Sequence, residues 1–300
     1  MKNYLIAALC SSVFAISACS SEKGEGEETT APVSSNEEVS AGAPAAEKLT
    51  MYAFDCGRID MLDLSIFSSD GEYAEGAEHS AADMCFLIRH PKGDLMWDSG
   101  LPDSIHEDAD GVTNGPFHIS VPVTLTSQLE AIGLKPSDIE LFSISHSHFD
   151  HVGNAVMFAG STFLVDKDER DHMFSDDARA AETFGLVAPL ENAQTIEFDG
   201  DYDVFGDGSV IIKAMPGHTP GHTSLLVNLP ESGPVLLSGD MYHLLRAREE
   251  RIVPTFNTDK EQTLESMDAF EALAIETGAE VIIQHSMEHL EAMPEGRVWN

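Results

Sequence analysis

Residues Ser145-His146-Ser147-His148-Phe149-Asp150-His151-Val152-Gly153-Asn154 place three imidazoles and a carboxylate within one short stretch. The apolar run Leu141-Phe142-Ser143-Ile144 leads directly into it. Side chains two apart in an extended segment point the same way, so His146 and His148 can converge on one ion where a strand ends. Asp150 and His151 lie around the following bend and can serve a second ion, since paired catalytic metals sit roughly 3.5–4 Å apart. Imidazole with carboxylate suits zinc first, with iron, manganese or cobalt as further candidates. A solvated polar loop accounts for one histidine but not for this density.

Three more chemical residues follow apolar runs. His218 stands in Pro216-Gly217-His218-Thr219-Pro220-Gly221-His222-Thr223 after Ile211-Ile212-Lys213-Ala214-Met215; Asp240 follows Val235 to Ser238; His285 follows Val281-Ile282-Ile283-Gln284. Strand ends along one edge of a layered sheet can meet in space although about 140 residues separate the first from the last. His222 is read as a support for its loop. His79, His90, His106, His118, His172 and His289 lack partners at ligand spacing and are assigned to surface or packing.

The elements that must carry these residues are legible as patterns. Residues 49–55 read as an edge strand, residues 84–90 and 95–100 as strands around the turn Pro91-Lys92-Gly93-Asp94, and residues 57–83 as a long loop able to cover a site. Residues 124–134 and 166–174 have helical character, and residues 163–165, 211–215, 223–229 and 235–238 read as strands. A long helix is predicted over 258–277, capped by Thr258 with Glu261 and stopped by Gly278. Residues 281–284 form a buried strand that delivers His285. Strands in hairpin pairs among helices point to an α/β fold of mixed sheets flanked by helices.

The chain of 300 residues is 42% hydrophobic, enough to bury a full core. Its 52 acidic against 16 basic residues give a formal charge of −36, which repels nucleic acid and anionic membrane surfaces and tolerates a small neutral substrate. Residues 1–18 read as a secretory signal too short for a lasting membrane anchor. Ile16-Ser17-Ala18-Cys19 resembles the bacterial lipobox, which implies a lipid on Cys19, the chain's one expected attachment to a membrane. The location implied is the bacterial cell envelope, at the outer membrane on its periplasmic side or surface. Residues 19–48 are poor in bulky apolar side chains and form a disordered tether, leaving 49–300 as the folded domain. Cys56 and Cys85 then remain, and a disulfide or two buried thiols fit equally.

From about residue 50 to 290 the chain resembles the metallo-β-lactamase superfamily. His146-Ser147-His148-Phe149-Asp150-His151 fits the HxHxDH pattern, and the later His, Asp and His recur in order. The run from Pro216 to Leu225 and the long loop ahead of Met96-Trp97-Asp98-Ser99-Gly100 look most like the N-acyl-homoserine lactonase group. The resemblance implies an αββα sandwich of two mixed sheets flanked by helices. It also implies two Zn2+ ions: His146, His148 and His218 on one, Asp150, His151 and His285 on the other, Asp240 bridging, and Asp98 as a supporting acid. The implied reaction is hydrolysis of a lactone by hydroxide shared between the ions, with Asp150 relaying the proton.

One position departs from the group. Its tyrosine three residues after the bridging aspartate is replaced here by His243, with Tyr242 one earlier, and either can donate a hydrogen bond to the substrate. Phe117 and the apolar residues of 61–67 suit an acyl-chain groove or core packing equally. The alternatives are an esterase, aryl or phosphotriester hydrolase of the same fold, and an iron-dependent persulfide dioxygenase that uses a single ion. The complete second set of Asp150, His151 and His285 favours hydrolysis.

Overall fold

The computed structural model describes residues 46–300. The expected signal and Cys19, the expected site of lipid attachment, lie outside the described residues, as does the expected tether apart from its last three positions. Among the described residues fourteen strands form two sheets. The larger contains β1 (Thr50–Met61), β2 (His79–His90), β3 (Gly93–Trp97), β4 (Val112–Asn114), β5 (Phe117–Ser120), β6 (Leu141–Ser143), β7 (Thr162–Asp166) and β8 (Thr195–Phe198) in the order β4-β5-β1-β2-β3-β6-β7-β8. The smaller contains β9 (Tyr202–Asp203), β10 (Val210–Ala214), β11 (Thr223–Leu229), β12 (Gly233–Leu237) and β13 (Glu280–Ile282) in the order β13-β12-β11-β10-β9. The terminal β14 (Val298–Trp299) pairs with β1.

The helices are α1 (Leu125–Ala131), α2 (Lys167–Met173), α3 (Asp176–Ala180), α4 (Phe184–Val187), α5 (Leu245–Glu250), α6 (Lys260–Thr277) and α7 (Met287–Ala292). Alternation along the strands sorts the apolar side chains into layers. Ala53, Met84, Phe86 and Trp97 face Val210, Leu225, Val235 and Ile282 between the sheets. Phe54, Cys85, Leu87 and Phe142 point the other way, against Leu125, Leu129 and Met173 of the helices. Leu226 and Leu236 on the far side of the small sheet meet Met267 and Phe270 of α6. The result is helix, sheet, sheet, helix, the αββα sandwich expected. Fully buried Trp97 and Phe86 each contribute roughly 2–3 kcal/mol of apolar burial to the central layer.

Two expected elements are corrected. The strand predicted at residues 49–55 runs on to Met61 and is no edge: β2 pairs along it on one side, β5 and β14 on the other. A bulge between Asp55 and Gly57 shifts its register and breaks the alternation, which hid the continuation over Gly57-Arg58-Ile59-Asp60-Met61. The covering loop therefore shrinks to residues 62–78. In α6 the cap is Asp259, which accepts from the Gln262 N–H at 2.9 Å. Thr258 instead donates its N–H to the His218 carbonyl at 3.0 Å. Cys56 and Cys85 form a disulfide joining β1 to β2, closing the choice left open by sequence.

Candidate metal centre

Chain segments from both sheets run out to one lip. Asp98 directly follows β3; His146, His148, Asp150 and His151 follow β6; His218, Asp240 and His285 follow β10, β12 and β13. Two donor groups result, one of His146, His148, His218 and Asp240, the other of Asp150, His151 and His285, with the candidate ligand atoms of each within 4.8 Å of one another.

In the first group His146 Nε2 lies 2.8 Å from His148 Nδ1 and 3.1 Å from His218 Nε2. An ion with bonds of about 2.0–2.1 Å spreads tetrahedral donors about 3.3 Å apart, close to this spacing. Asp240 divides its oxygens between the groups. Oδ2 lies 3.3 Å from His218 Nε2 and 3.6 Å from His146 Nε2. Oδ1 lies 2.8 Å from His285 Nε2 and 3.1 Å from His151 Nε2. Asp150 completes the second group, 3.7 Å from His285 Nε2 and 4.0 Å from His151 Nε2.

Outer partners fix which ring nitrogen faces inward. His151 Nδ1 meets Asp98 Oδ2 at 3.0 Å, His218 Nδ1 meets Asn257 Oδ1 at 2.9 Å, and His285 Nδ1 meets the Ala82 carbonyl at 2.8 Å. Each pairing holds the proton on Nδ1 and leaves Nε2 as a donor of electrons to an ion. Asp98 adopts a left-handed φ of 58° and accepts from the Ser145 N–H at 2.6 Å and the Gln284 amide at 2.8 Å. His222 Nδ1 bonds the Met215 carbonyl while its Nε2 accepts from the Asp240 N–H, both at 2.9 Å, so it supports the Asp240 turn. Gly239 at φ 54° passes so close that an added Cβ would lie 2.6 Å from His222 Nε2.

The electrostatics suit cations. Burial, then His151, holds His146 well below the ordinary imidazole value, and burial, then His218, does the same for His148, so both rings are neutral as ligation requires. Burial opposes a charge on His285, but the Asp240 and Asp150 carboxylates outweigh it and push its pKa up to about 9. A place that draws a proton this strongly also draws a divalent ion. His151 Nε2, His285 Nε2 and Asp240 Oδ1 are buried and face one another without a hydrogen bond of acceptable geometry. Orphaned buried atoms of this kind are costly unless a cation joins them, so the donor set fits a pair of metals.

Above the donors is a narrow cavity of about 40 Å³ whose walls include Met61, Phe67, Phe117, Phe149, Phe256 and His243. Phe117 and the 61–67 segment, left between groove and core by sequence, thus do both: Met61 and Phe67 also pack in an apolar cluster with Leu64. Tyr242 is a correction. Its hydroxyl donates to Glu271 at 3.0 Å and its ring packs on Phe270 of α6, so it points away from the donors. The extended backbone at Tyr242 sends consecutive side chains to opposite sides, and His243 takes the inward place with Nε2 3.1 Å from Asp240 Oδ2.

Sequence reasoning missed Glu169, Phe256 and Asn257. Phe256 and Asn257 lie on an irregular loop with no periodic signal, and Glu169 looks like one more acid in a polar helix.

The profile of the metallo-beta-lactamase superfamily matches residues 83–285, spanning Asp98 and all seven donors. The chain belongs to that superfamily. Among relatives of this superfamily member, N-acyl homoserine lactonase AttM of Azorhizobium caulinodans is 33% identical over 223 residues, 70% of this chain and 84% of the relative. N-acyl homoserine lactonase AiiA of Bacillus thuringiensis subsp. kurstaki is 28% identical over 245 residues, 79% of this chain and 93% of the relative. A solved N-acyl homoserine lactone hydrolase, with N-hexanoyl-L-homoserine bound at its catalytic metal center, superposes with a TM-score of 0.69 at 26% identity, over 82% of this chain and 96% of its own.

Proposed function

We propose that this superfamily member is a dinuclear zinc hydrolase that opens the lactone ring of N-acyl-homoserine lactones. The observation that carries the reading is the division of Asp240 between two complete donor groups beneath an apolar cavity. His146, His148 and His218 would hold one ion, Asp150, His151 and His285 the other, and Asp240 both. Such a pair supplies water of lowered pKa and polarises a carbonyl oxygen.

The chain's own groups do the rest. Asp150 stands where a carboxylate can take the proton released by water and return it to the departing ring oxygen. His243 offers a ring nitrogen at the cavity wall and can donate to oxygen charge as it develops. Phe67, Phe117, Phe149 and Phe256 exclude water and suit an acyl chain. The charge of −36 selects against polyanions and leaves a neutral lactone unopposed. The Cys56–Cys85 disulfide supports folding in an oxidising compartment, consistent with export and lipid attachment at Cys19.

The test combines metal quantification with a pH-stat assay on homoserine lactones of short and long acyl chain, with simple esters and a phosphotriester as controls. Two zinc equivalents and preferential lactone opening are expected. Turnover of the controls alone would move the assignment to a general esterase or phosphotriester hydrolase, and one iron with oxygen uptake would move it to oxidation. Asp150→Asn should cut turnover at least 100-fold, and near-normal activity with intact metal content would remove Asp150 from the proton relay.

A further inference from the structure

We propose that Glu169 is the positioning residue for the first ion: one buried carboxylate ties together the two chain segments that bring in His146, His148 and His218. The inference rests on the two-ion reading above and adds a residue to it. Glu169 lies in the first turn of α2 and is 1% exposed. Its Oε1 accepts from the Ser147 N–H at 2.7 Å and from the Ser147 hydroxyl at 2.6 Å. Its Oε2 accepts from the Thr219 hydroxyl at 2.6 Å and from the Gly221 N–H at 3.2 Å.

The pairing is specific in sequence terms. Ser147 stands between His146 and His148, and Thr219 follows His218, so each carboxylate oxygen serves one ligand-bearing segment. No basic side chain forms an ion pair with Glu169 among the described residues. Its four hydrogen-bond donors are what satisfy this carboxyl group in the interior. The close approach is built in: a Cβ on Gly221 would lie 2.2 Å from the Glu169 nitrogen, so only glycine lets the loop reach the helix.

The second donor group is oriented by other means, through Asp98 on His151 and the Ala82 carbonyl on His285. Loss of Glu169 should therefore loosen one ion and spare the other. A residue that merely stabilised the fold would not discriminate between them. Removing a partner that orients a ligand typically costs 10- to 100-fold in metal affinity.

The experiment measures the two stepwise zinc dissociation constants of the folded holoprotein by chelator competition, with the absorption spectrum of the Co2+-substituted protein as a second readout. Glu169→Ala should weaken one equivalent 10- to 100-fold, leave the other within about threefold, and alter the spectrum of only one cobalt. Glu169→Gln keeps an oxygen for Ser147 and should lose less. Thr219→Val cuts only the His218 side and should weaken the same equivalent, which preserves the test if Glu169→Ala fails to fold. Wild type holding two equivalents while the folded variants lose both alike, or neither, overturns the inference. Wild type holding fewer than two overturns the two-ion reading, and this inference with it.

Discussion

His243 lies face to face with His285, ring centroids 5.7 Å apart and planes 8° from parallel, with its Nε2 3.1 Å from Asp240 Oδ2. Phe67 and Phe256 close around it at 5.0 and 5.7 Å. Burial, opposed by Asp240, holds its pKa below the ordinary imidazole value, so near neutrality the ring is uncharged and offers a single N–H. His243→Phe keeps the aromatic packing and deletes that N–H. The expected outcome is a fall of about 100-fold in kcat/KM on lactones with both metal equivalents retained, the lower end of what one oxyanion donor contributes. Unchanged kinetics would show that His243 only packs.

Asp98 should matter to metal retention more than to the chemical step. Its Oδ2 orients His151 and its Oδ1 holds the Ser145 N–H just before the first ligand. Asp98→Asn keeps the volume but puts an amide where two donors already converge. Affinity for the ion that His151 would hold should drop about 10- to 100-fold. Activity should return largely at high zinc; persistent loss with both ions bound would give Asp98 a part in turnover instead.

Much of this site was legible because its donors follow apolar strands, and a strand's end fixes where the next residue points. His146, His218, Asp240 and His285 all obey that rule, and strands in hairpin pairs among helices pointed to mixed sheets flanked by helices. What stayed hidden had nonlocal causes. The β1 bulge broke the alternation that would have extended the strand to Met61. The choice between Tyr242 and His243 turned on Glu271, 29 residues away, which draws the tyrosine hydroxyl outward. Glu169 takes its meaning from Ser147 and Thr219, and no local pattern records a partner 22 or 50 residues distant.

His222 makes a prediction about acid stability. Burial, then His218, pushes its pKa down to about 3, against 6.5 for a free side chain. Between pH 6.5 and 3 the unfolded chain therefore binds a proton that the native protein refuses, so stability falls as pH falls through that window and is flat in this group above it. At roughly 1.4 kcal/mol per unit of difference, several kcal/mol depend on this ring. His222→Gln should be less stable than wild type at pH 8, yet lose less on acidification to pH 4. Glu271, held low by Arg248, acts in both proteins alike and only as pH drops through the carboxylate range. Denaturation midpoints at pH 8, 6, 5 and 4 provide the comparison, and parallel curves would refute the prediction.

The Cys56–Cys85 bond yields a stability prediction that is separable from metal binding. The two residues are 29 apart in sequence, sit buried on adjacent strands, and belong to the apolar layer beneath α1 and α2. Cross-linking a loop of that length restricts the unfolded chain by about 3–4 kcal/mol. For a domain of this size that corresponds to a melting temperature lower by on the order of 10 °C when the bond is absent. Cys56→Ala with Cys85→Ala should show that loss while still binding two metal equivalents, because neither sulfur belongs to either donor group. Peptide mapping after alkylation under denaturing conditions checks the premise: protein folded in an oxidising medium should yield the linked pair. Recovery of both as free thiols, with an unchanged melting temperature in the double variant, would mean that the strands need no covalent tie and that the core alone holds β1 against β2.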